Sequence, residues 1–460
     1  MRTEQDSMGS MPVADGVLFG ASTERARLNF PISGHRMPDG FIRCLGWVKA
    51  ACASANEELG RLPAEKADLI RQAAEVLARG ELAEHFPLDI FQTGSGTSTN
   101  MNANEVIANW ASQAVGKPIG SKDPLHPNDD VNLGQSSNDI IPTVLHVSVA
   151  LALSEDLAPA LDHLATELEK KAEAFQAVVK VGRTHLMDAT PMTLGQVFSG
   201  YARQIRKSAD RARRGVEALQ ELAIGGTAIG TGINGHPEFG GKVCALLTEQ
   251  TGLPFCEAVN HFEAQGGRDD CVEVAGLLST IAASLTKVAN DIRLLGSGPR
   301  CGLGEIVLPA TQPGSSIMPG KVNPVMSEML VQTALYSTGL CNTVTLCGRD
   351  GQFELNVTLP LIAYALHESI TCLSNGARVF ADRCVRGIEA NEGRCRELVD
   401  QSLMLVTALA PHIGYDRAAQ AAKLAFTENK TLYEVVLEQQ WMDEEALKTA
   451  LDPRKMIGAD

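Results

Sequence analysis

The chain has 460 residues, 44% of them hydrophobic, and carries 40 Lys and Arg against 55 Asp and Glu, a net charge of -15. Its length suits about three domains, its apolar content suits a large core, and its acidity argues against nucleic-acid partners and anionic membrane surfaces. Eleven cysteines without a C-x-x-C pair, most in apolar helical surroundings, read as reduced core residues of a cytoplasmic protein and not as disulfide or iron–sulfur ligands.

Glu4, Asp6, Asp15 and Glu24 mark the polar N-terminal stretch, where no targeting segment is expected. No run of about 18 apolar residues points to a membrane span. An early helix is expected near Pro38 to Glu58, and another from Lys66 to Arg79 with Leu69, Ala73, Val76 and Leu77 on one side. The apolar run Phe86 to Phe91 leads into Gln92-Thr93-Gly94-Ser95-Gly96-Thr97-Ser98-Thr99-Asn100. Glycines there allow a tight turn, and the hydroxyls offer donors to a carboxylate. The same run also fits a plain cap, with Thr99 or Asn100 opening a helix through Asn109. Two polar clusters follow, His126-Pro127-Asn128-Asp129-Asp130-Val131-Asn132 and Gln135-Ser136-Ser137-Asn138-Asp139. Placed before a long helix, they look like the wall of a site.

From Ile140 the pattern is overwhelmingly helical. Long helices are expected over Pro142 to Gln176, Thr193 to Leu222, Ala264 to Leu295, Val325 to Cys347 and Leu359 to Arg386. In the third, Val274, Leu278, Ile281, Leu285, Val288, Ile292 and Leu295 alternate steps of four and three, the seam of packed helices. No charge falls between Val274 and Thr286, nor between Glu328 and Arg349. A helix without a charged face is buried all round, which implies a bundle shared between copies of the chain. Between helices, Gly182-Arg183-Thr184-His185 sets a histidine in a loop, structural or catalytic. Gly225 to Gly232 lacks the Lys-Ser/Thr of a phosphate loop and reads as a close-packed turn. After Gly387 the helices become short and charged. The expected division is an N-terminal mostly helical domain over 1–135, a long-helix bundle over 136–390 and a small C-terminal helical domain over 391–460.

The remaining stretch is Gly314-Ser315-Ser316-Ile317-Met318-Pro319-Gly320-Lys321-Val322-Asn323-Pro324. Gly314, Pro319 and Gly320 prevent a regular element from running through it, and Pro324 suits the first turn of a helix. A helix N-terminus offers free N–H groups and a positive dipole end to an anion. Lys321 adds charge and Asn323 adds donors. Two serines stand beside this platform as candidate nucleophile or base.

This run closely resembles the signature of the fumarase/aspartase superfamily, in the form used by class II fumarases. The order of Thr93-Gly94-Ser95-Gly96-Thr97, His126-Pro127-Asn128-Asp129-Asp130, Gln135 to Asp139, Gly182 to His185, the signature and His412-Ile413-Gly414-Tyr415-Asp416 extends the resemblance over essentially the whole chain. The resemblance implies a mainly α, three-domain subunit whose five-helix bundle forms a twenty-helix core in a homotetramer. It implies reversible hydration of fumarate to (S)-malate through an aci-carboxylate intermediate, with no cofactor and no metal. Ser315 matches the base that takes the C3 proton. Thr184 and His185 match the pair that handles water, and Glu328 matches the partner of that histidine. Ser95, Gly96, Thr97, Ser136, Ser137, Asn138, Ser316, Lys321, Val322 and Asn323 match the positions that hold the dicarboxylate. His126, Asn128, Asp129 and Asp130 match a second dicarboxylate site, near which this chain has Asp123 where many members carry a basic residue.

The residue types suit that chemistry. Removing a proton alpha to a carboxylate places a second negative charge on it, and Lys321 with a helix N-terminus stabilises charge that appears only then. Serine is a weak base unless N–H groups stabilise its alkoxide. The stretch Gly96 to Asn100 also resembles aspartases, which eliminate ammonia. At the position of His185, however, aspartases typically have Gln, which cannot act as a base. A non-catalytic member of the fold would show an eroded polar site, and this sequence shows none.

Overall fold

A hairpin opens the chain in the computed structural model, which describes residues 1–458. Strands β1 (Arg2–Asp6) and β2 (Gly9–Val13) pair antiparallel, with Arg2 opposite Val13. Helices α1 (Ala21–Asn29), α2 (Asp39–Glu58), α3 (Ala64–Ala78), α4 (Thr97–Ala114) and α5 (Ser137–Leu151) follow. A π-helical segment, Ala152–Leu157, carries α5 into α6 (Ala158–Ala174). Next come the hairpin β3 (Val179–Thr184) and β4 (Met187–Thr193), α7 (Leu194–Ala218), β5 (Glu221–Leu222), α8 (Phe239–Thr251), β6 (Cys256–Glu257), α9 (His261–Gly266) and α10 (Asp269–Leu295). The last third holds β7 (Ile306–Val307), α11 (Val325–Arg349), α12 (Leu359–Arg383), β8 (Glu389–Ala390) and five short helices, α13 (Glu392–Gln401), α14 (Val406–Ile413), α15 (Tyr415–Glu428), α16 (Leu432–Glu438) and α17 (Glu444–Ala450). The expected long helices are present with shifted ends, the first beginning at Ser137 and the third, after a break, at Asp269.

Packing divides the chain into two compact units, each discontinuous in sequence. One comprises Met1–Pro159, Ala209–Ala282 and Ala334–Ser374, the other Ala160–Ser208, Ala283–Thr333 and Asn375–Asp460. In the first unit α2, α3 and α4 share a core of Ala53, Leu62, Ala67, Ile70, Ala73, Ala74, Ile107 and Ala111. A Cβ on Gly46 would lie 2.7 Å from the Ala74 carbonyl oxygen, so the α2–α3 contact needs that glycine. The buried stripe of α3 is Ala67, Ile70, Ala73, Ala74 and Leu77. The expected face is thus rotated: Leu69 and Val76 lie at its half-buried edges. At such close approach small side chains pack better than large ones.

In the second unit the C-terminal helices close over Val399, Leu405, Leu409, Ala421, Ala425, Val435, Val436 and Leu447. Val181 of β3 belongs to the same cluster, so the hairpin and the C-terminal helices share a core. All seven seam residues of α10 are buried, at most 8% exposed. The helical stretches Ser137–Ala174 and Asp269–Leu295 are long and apolar enough to cross a membrane by length and composition alone. Polar residues interrupt both, and 78% and 50% of their most apolar windows are buried in the chain, as in core helices of a folded domain.

Candidate active site

The polar clusters of the first unit form two linked helix starts. Gly96 takes the left-handed conformation (φ 72°) and caps α4, which begins at Thr97. The helix therefore starts earlier than a cap at Thr99 or Asn100 would place it. Gln92 supplies a cap from outside, its Oε1 accepting from Thr99 N at 3.1 Å and from Thr99 Oγ1 at 2.8 Å. Ser95 Oγ lies 2.9 Å from Thr97 Oγ1. Gly94 packs so closely that an added Cβ would sit 1.7 Å from the Val357 carbonyl oxygen. The second start is a capping box: Ser136 Oγ accepts from Asn138 N at 3.2 Å, and Ser136 N donates to Asp139 Oδ1 at 2.8 Å. Asp139 Oδ2 accepts from Thr227 N at 2.9 Å and Gly225 N at 3.2 Å, and Asn138 Nδ2 donates to the Ala228 carbonyl at 2.8 Å. The glycine-rich stretch is thus the close-packed turn expected, pinned to the start of α5. Both helix starts present N–H groups and positive dipole ends.

A buried network joins them. Asn100 Nδ2 donates to Ser137 Oγ at 3.0 Å and to Asn132 Oδ1 at 3.1 Å. Asn132 Oδ1 also accepts from Asn104 Nδ2 and Lys49 Nζ, each at 3.2 Å, and Lys49 reaches Gln135 Oε1 at 2.8 Å. Lys49 is fully buried, and burial pulls its pKa down to about 8. Burial likewise pushes Asp139 up to about 6. The sequence places Asn100 in the hydroxyl-rich loop and Asn132 in a polar cluster without linking them, and Lys49 and Asn104 are not among the candidates. The available signal was a lysine within the apolar face Cys44, Leu45, Val48, Ala51 and Cys52 of α2.

The segment proposed for a second dicarboxylate site is a π-turn, Pro127–Val131, capped by His126, whose Nδ1 accepts from Asn128 N at 3.3 Å and Asp129 N at 3.2 Å. Asp130 is committed elsewhere, with both carboxylate oxygens 2.8 Å from Lys66 Nζ and one accepting from His126 N. Asp123 pairs with Lys117 at 2.5 Å.

Thr184 and His185 lie in the second unit, at the tip of the β3–β4 hairpin. Thr184 pairs with Met187, and the residues between them, His185 and Leu186, are both left-handed, with φ of 56° and 61°. A two-residue turn of this kind prefers Asn and Gly. Holding other residues there costs roughly 1–2 kcal/mol each, a strain of the sort found at functional sites. The tip is exposed, Leu186 at 76% and Met187 at 69%. A loop leading straight into a helix was expected; the chain instead makes a strand on each side.

The Gly314–Asn323 loop, also in the second unit, is closed on itself. Gly314 N donates to the Lys321 carbonyl at 2.8 Å, and Asn323 Nδ2 donates to the Gly314 carbonyl at 2.7 Å. A Cβ on Gly314 would meet that Lys321 oxygen at 2.6 Å. Inside the ring, Ser315 Oγ accepts from Ile317 N at 3.2 Å and Met318 N at 3.0 Å. Ser316, Lys321 and Val322 are exposed, while Glu328, in the first turn of α11, is half-buried. Pro324 stands just before α11 and not within its first turn, its carbonyl accepting from Glu328 N at 3.1 Å. Within one chain, among the described residues, no hydrogen bond joins Glu328 to His185 or either to Ser315. No group of three or more His, Cys, Asp or Glu side chains is placed to hold a metal ion among the described residues.

The fold is that of a long-helix protein with a serine loop opening onto a helix start. A family model described as "Lyase" matches residues 9–339, and one described as "Fumarase C C-terminus" matches residues 405–458. The chain is 50% identical over 457 residues to the class II fumarate hydratase of Thermosynechococcus vestitus, covering 99% of this chain and 98% of that one. It is 49% identical over 459 residues to the mitochondrial fumarate hydratase 1 of Arabidopsis thaliana, covering 99% and 93%. The crystal structure of class II fumarase from Schistosoma mansoni matches it with a TM-score of 0.96 at 40% identity, covering 99% and 98%. The chain belongs to the class II fumarate hydratase family.

Proposed function

We infer that the chain catalyses the reversible hydration of fumarate to (S)-malate. The observation that carries this reading is Ser315 Oγ, held as acceptor of two backbone N–H groups in a closed loop. In the dehydration direction Ser315 takes the C3 proton of malate. The electron pair moves onto the adjacent carboxylate as an aci-carboxylate, which Lys321 and the start of α11 stabilise. Hydroxide then leaves C2, taking a proton through the Thr184–His185 pair to depart as water, with Glu328 orienting the imidazole. Ser95, Gly96, Thr97, Ser136, Ser137, Asn138, Ser316, Val322 and Asn323 bind the two carboxylates. Each step moves a proton or hydroxide, for which side chains suffice.

The functional species in this reading is a homotetramer, with each site assembled from three chains. Three apolar residues support it by their exposure in the single chain: on the nearly uncharged α11, Leu335 is 65%, Tyr336 48% and Leu346 53% exposed. A second copy would cover such a face. All eleven cysteines are free, which supports a cytoplasmic enzyme. A direct test is the purified protein with malate, read as fumarate absorbance in the ultraviolet, and with aspartate as the control. Fumarate from malate but not from aspartate is expected. Fumarate from aspartate alone would make the chain an ammonia-lyase.

A further inference from the structure

We propose that Glu305 is a positioning residue for His185: a buried carboxylate on which two cations of β3 converge, fixing the hairpin that carries the imidazole. The proposal rests on the reading of His185 given above. The strained tip, His185 and Leu186, is exposed, so the hairpin must be held at its base. Arg183, two residues before His185, places Nη1 2.9 Å from Glu305 Oε2. Lys180, on the same strand, places Nζ 3.3 Å from that oxygen and donates to the Val181 carbonyl at 2.5 Å. The side chain of Glu305 is wholly buried, Lys180 is 4% exposed and Arg183 is 15% exposed. Burial draws the Lys180 pKa down, as expected for an ammonium with little water around it.

The carboxylate is itself anchored. Glu305 N donates to the Leu295 carbonyl, and its own carbonyl accepts from Asn391 N, each at 2.9 Å. The residues after it, Ile306 and Val307, pair with β8. Glu305 therefore hangs β3 on the end of α10 and on the β7–β8 clasp. Both cations use Oε2, while Oε1 is buried with no hydrogen-bond partner among the described residues, so the directional pull of the group falls on β3. Buried ion pairs are poor stabilisers compared with apolar packing of the same volume. What this triad supplies that Leu or Met would not is a fixed distance between the α10 terminus and the residues flanking Thr184 and His185.

A misplacement of about 1 Å at a reacting group costs on the order of a hundredfold in rate. Glu305→Gln keeps the shape and removes the charge, so turnover should fall about tenfold or more. KM should change by less than about twofold, because the carboxylate-binding groups lie elsewhere. The test is a cycle of wild type, Glu305→Gln, His185→Asn and the double variant, with kcat and KM measured for malate. If Glu305 acts through His185, its substitution lowers kcat in the wild-type background and has no further effect once His185 is gone. Losses that multiply in the double variant, or an unchanged kcat in Glu305→Gln, would overturn the proposal. Full turnover in His185→Asn would overturn the reading of His185 itself, and the two failures are read from different proteins. Should Glu305→Gln not assemble, Arg183→Lys takes its place. It keeps the charge but loses the guanidinium fork, with the same expectation and the same refuting result.

Discussion

Acidification should destabilise this protein through two buried histidines. His146 and His367 are buried, 6% and 7% exposed. His146 Nδ1 lies 2.9 Å from the Glu221 carbonyl, an acceptor only, so Nδ1 carries the proton. Its Nε2 is buried with no hydrogen-bond partner among the described residues, and burial with the nearby Arg268 charge pulls the pKa down to about 3. His367 Nε2 lies 2.9 Å from Ser148 Oγ, and burial pulls its pKa down to about 4. In the unfolded chain both return to about 6.5. The folded values lie below the unfolded ones, so the unfolded chain binds more protons in between. Stability is full above about pH 6.5 and falls as pH drops toward about 4 for His367 and about 3 for His146. At pH 5, about 1.5 units below the unfolded pKa, each histidine costs about 2 kcal/mol. Together that is about 4 kcal/mol, set against a typical total of about 5–15.

Asp139 works in the opposite sense. Its folded pKa of about 6 lies above the unfolded value, so it returns about 1.4 kcal/mol as pH falls to 5. The informative quantity is therefore a difference in which Asp139 cancels. Urea unfolding of wild type and His367→Gln, at pH 7 and pH 5 and one protomer concentration, provides it. Whatever the substitution costs at pH 7, the further loss on going to pH 5 should be smaller in the variant by about 2 kcal/mol. An equal loss in both proteins would refute a buried neutral imidazole at position 367.

Ser315→Ala should lower turnover on the order of a hundredfold or more while leaving the circular dichroism spectrum unchanged; near-normal turnover would reject this serine as the base. Gly94→Ala forces a Cβ to within 1.7 Å of the Val357 carbonyl oxygen, so the Ser95–Thr97 turn must move. KM for malate should rise by about tenfold or more, and an unchanged KM would remove that turn from the site. Ser315→Ala and His185→Asn chains, each inactive alone, should regain roughly a quarter of wild-type activity when mixed and allowed to reassort, since each independent choice of donor chain is correct about half the time. Reassorted tetramers without activity would place both residues in one site of one chain.

Periodic parts of this fold were legible in the sequence. The α10 seam depends only on spacing, and all seven of its residues are buried. The buried face of α3 was only partly legible, because the close contact at Gly46 selects alanines over the larger Leu69 and Val76. The start of α4 depends on Gln92 reaching forward to Thr99, a tertiary choice among several possible caps. The His185 turn lacks the Asn-Gly signal of its class, so the strands around it were hidden. Lys49 and Glu305 were least legible. Each is a charge whose partners lie many residues away, Lys49 on Asn132 and Gln135 and Glu305 on Lys180 and Arg183.

The signature loop was legible as a loop, and its geometry explains why a serine within it can serve as a base. A free serine hydroxyl gains nothing by losing its proton, because no fixed donor awaits the alkoxide. Ser315 differs because Ile317 N and Met318 N already point at Oγ, at 3.2 and 3.0 Å. Donors that favour the charged form of a group make its proton easier to lose. Such donors help only if they do not relax away, and here the ring prevents it. Gly314 N to the Lys321 carbonyl and Asn323 Nδ2 to the Gly314 carbonyl clasp the loop on either side. Ser316, one residue on, accepts no such pair among the described residues and is exposed. Of two adjacent serines, therefore, only Ser315 has donors in place for an alkoxide, which supports it over Ser316 as the proposed base. Substituting Asn323 should consequently impair proton removal as well as binding, because its amide holds the ring in which Ser315 is prepared.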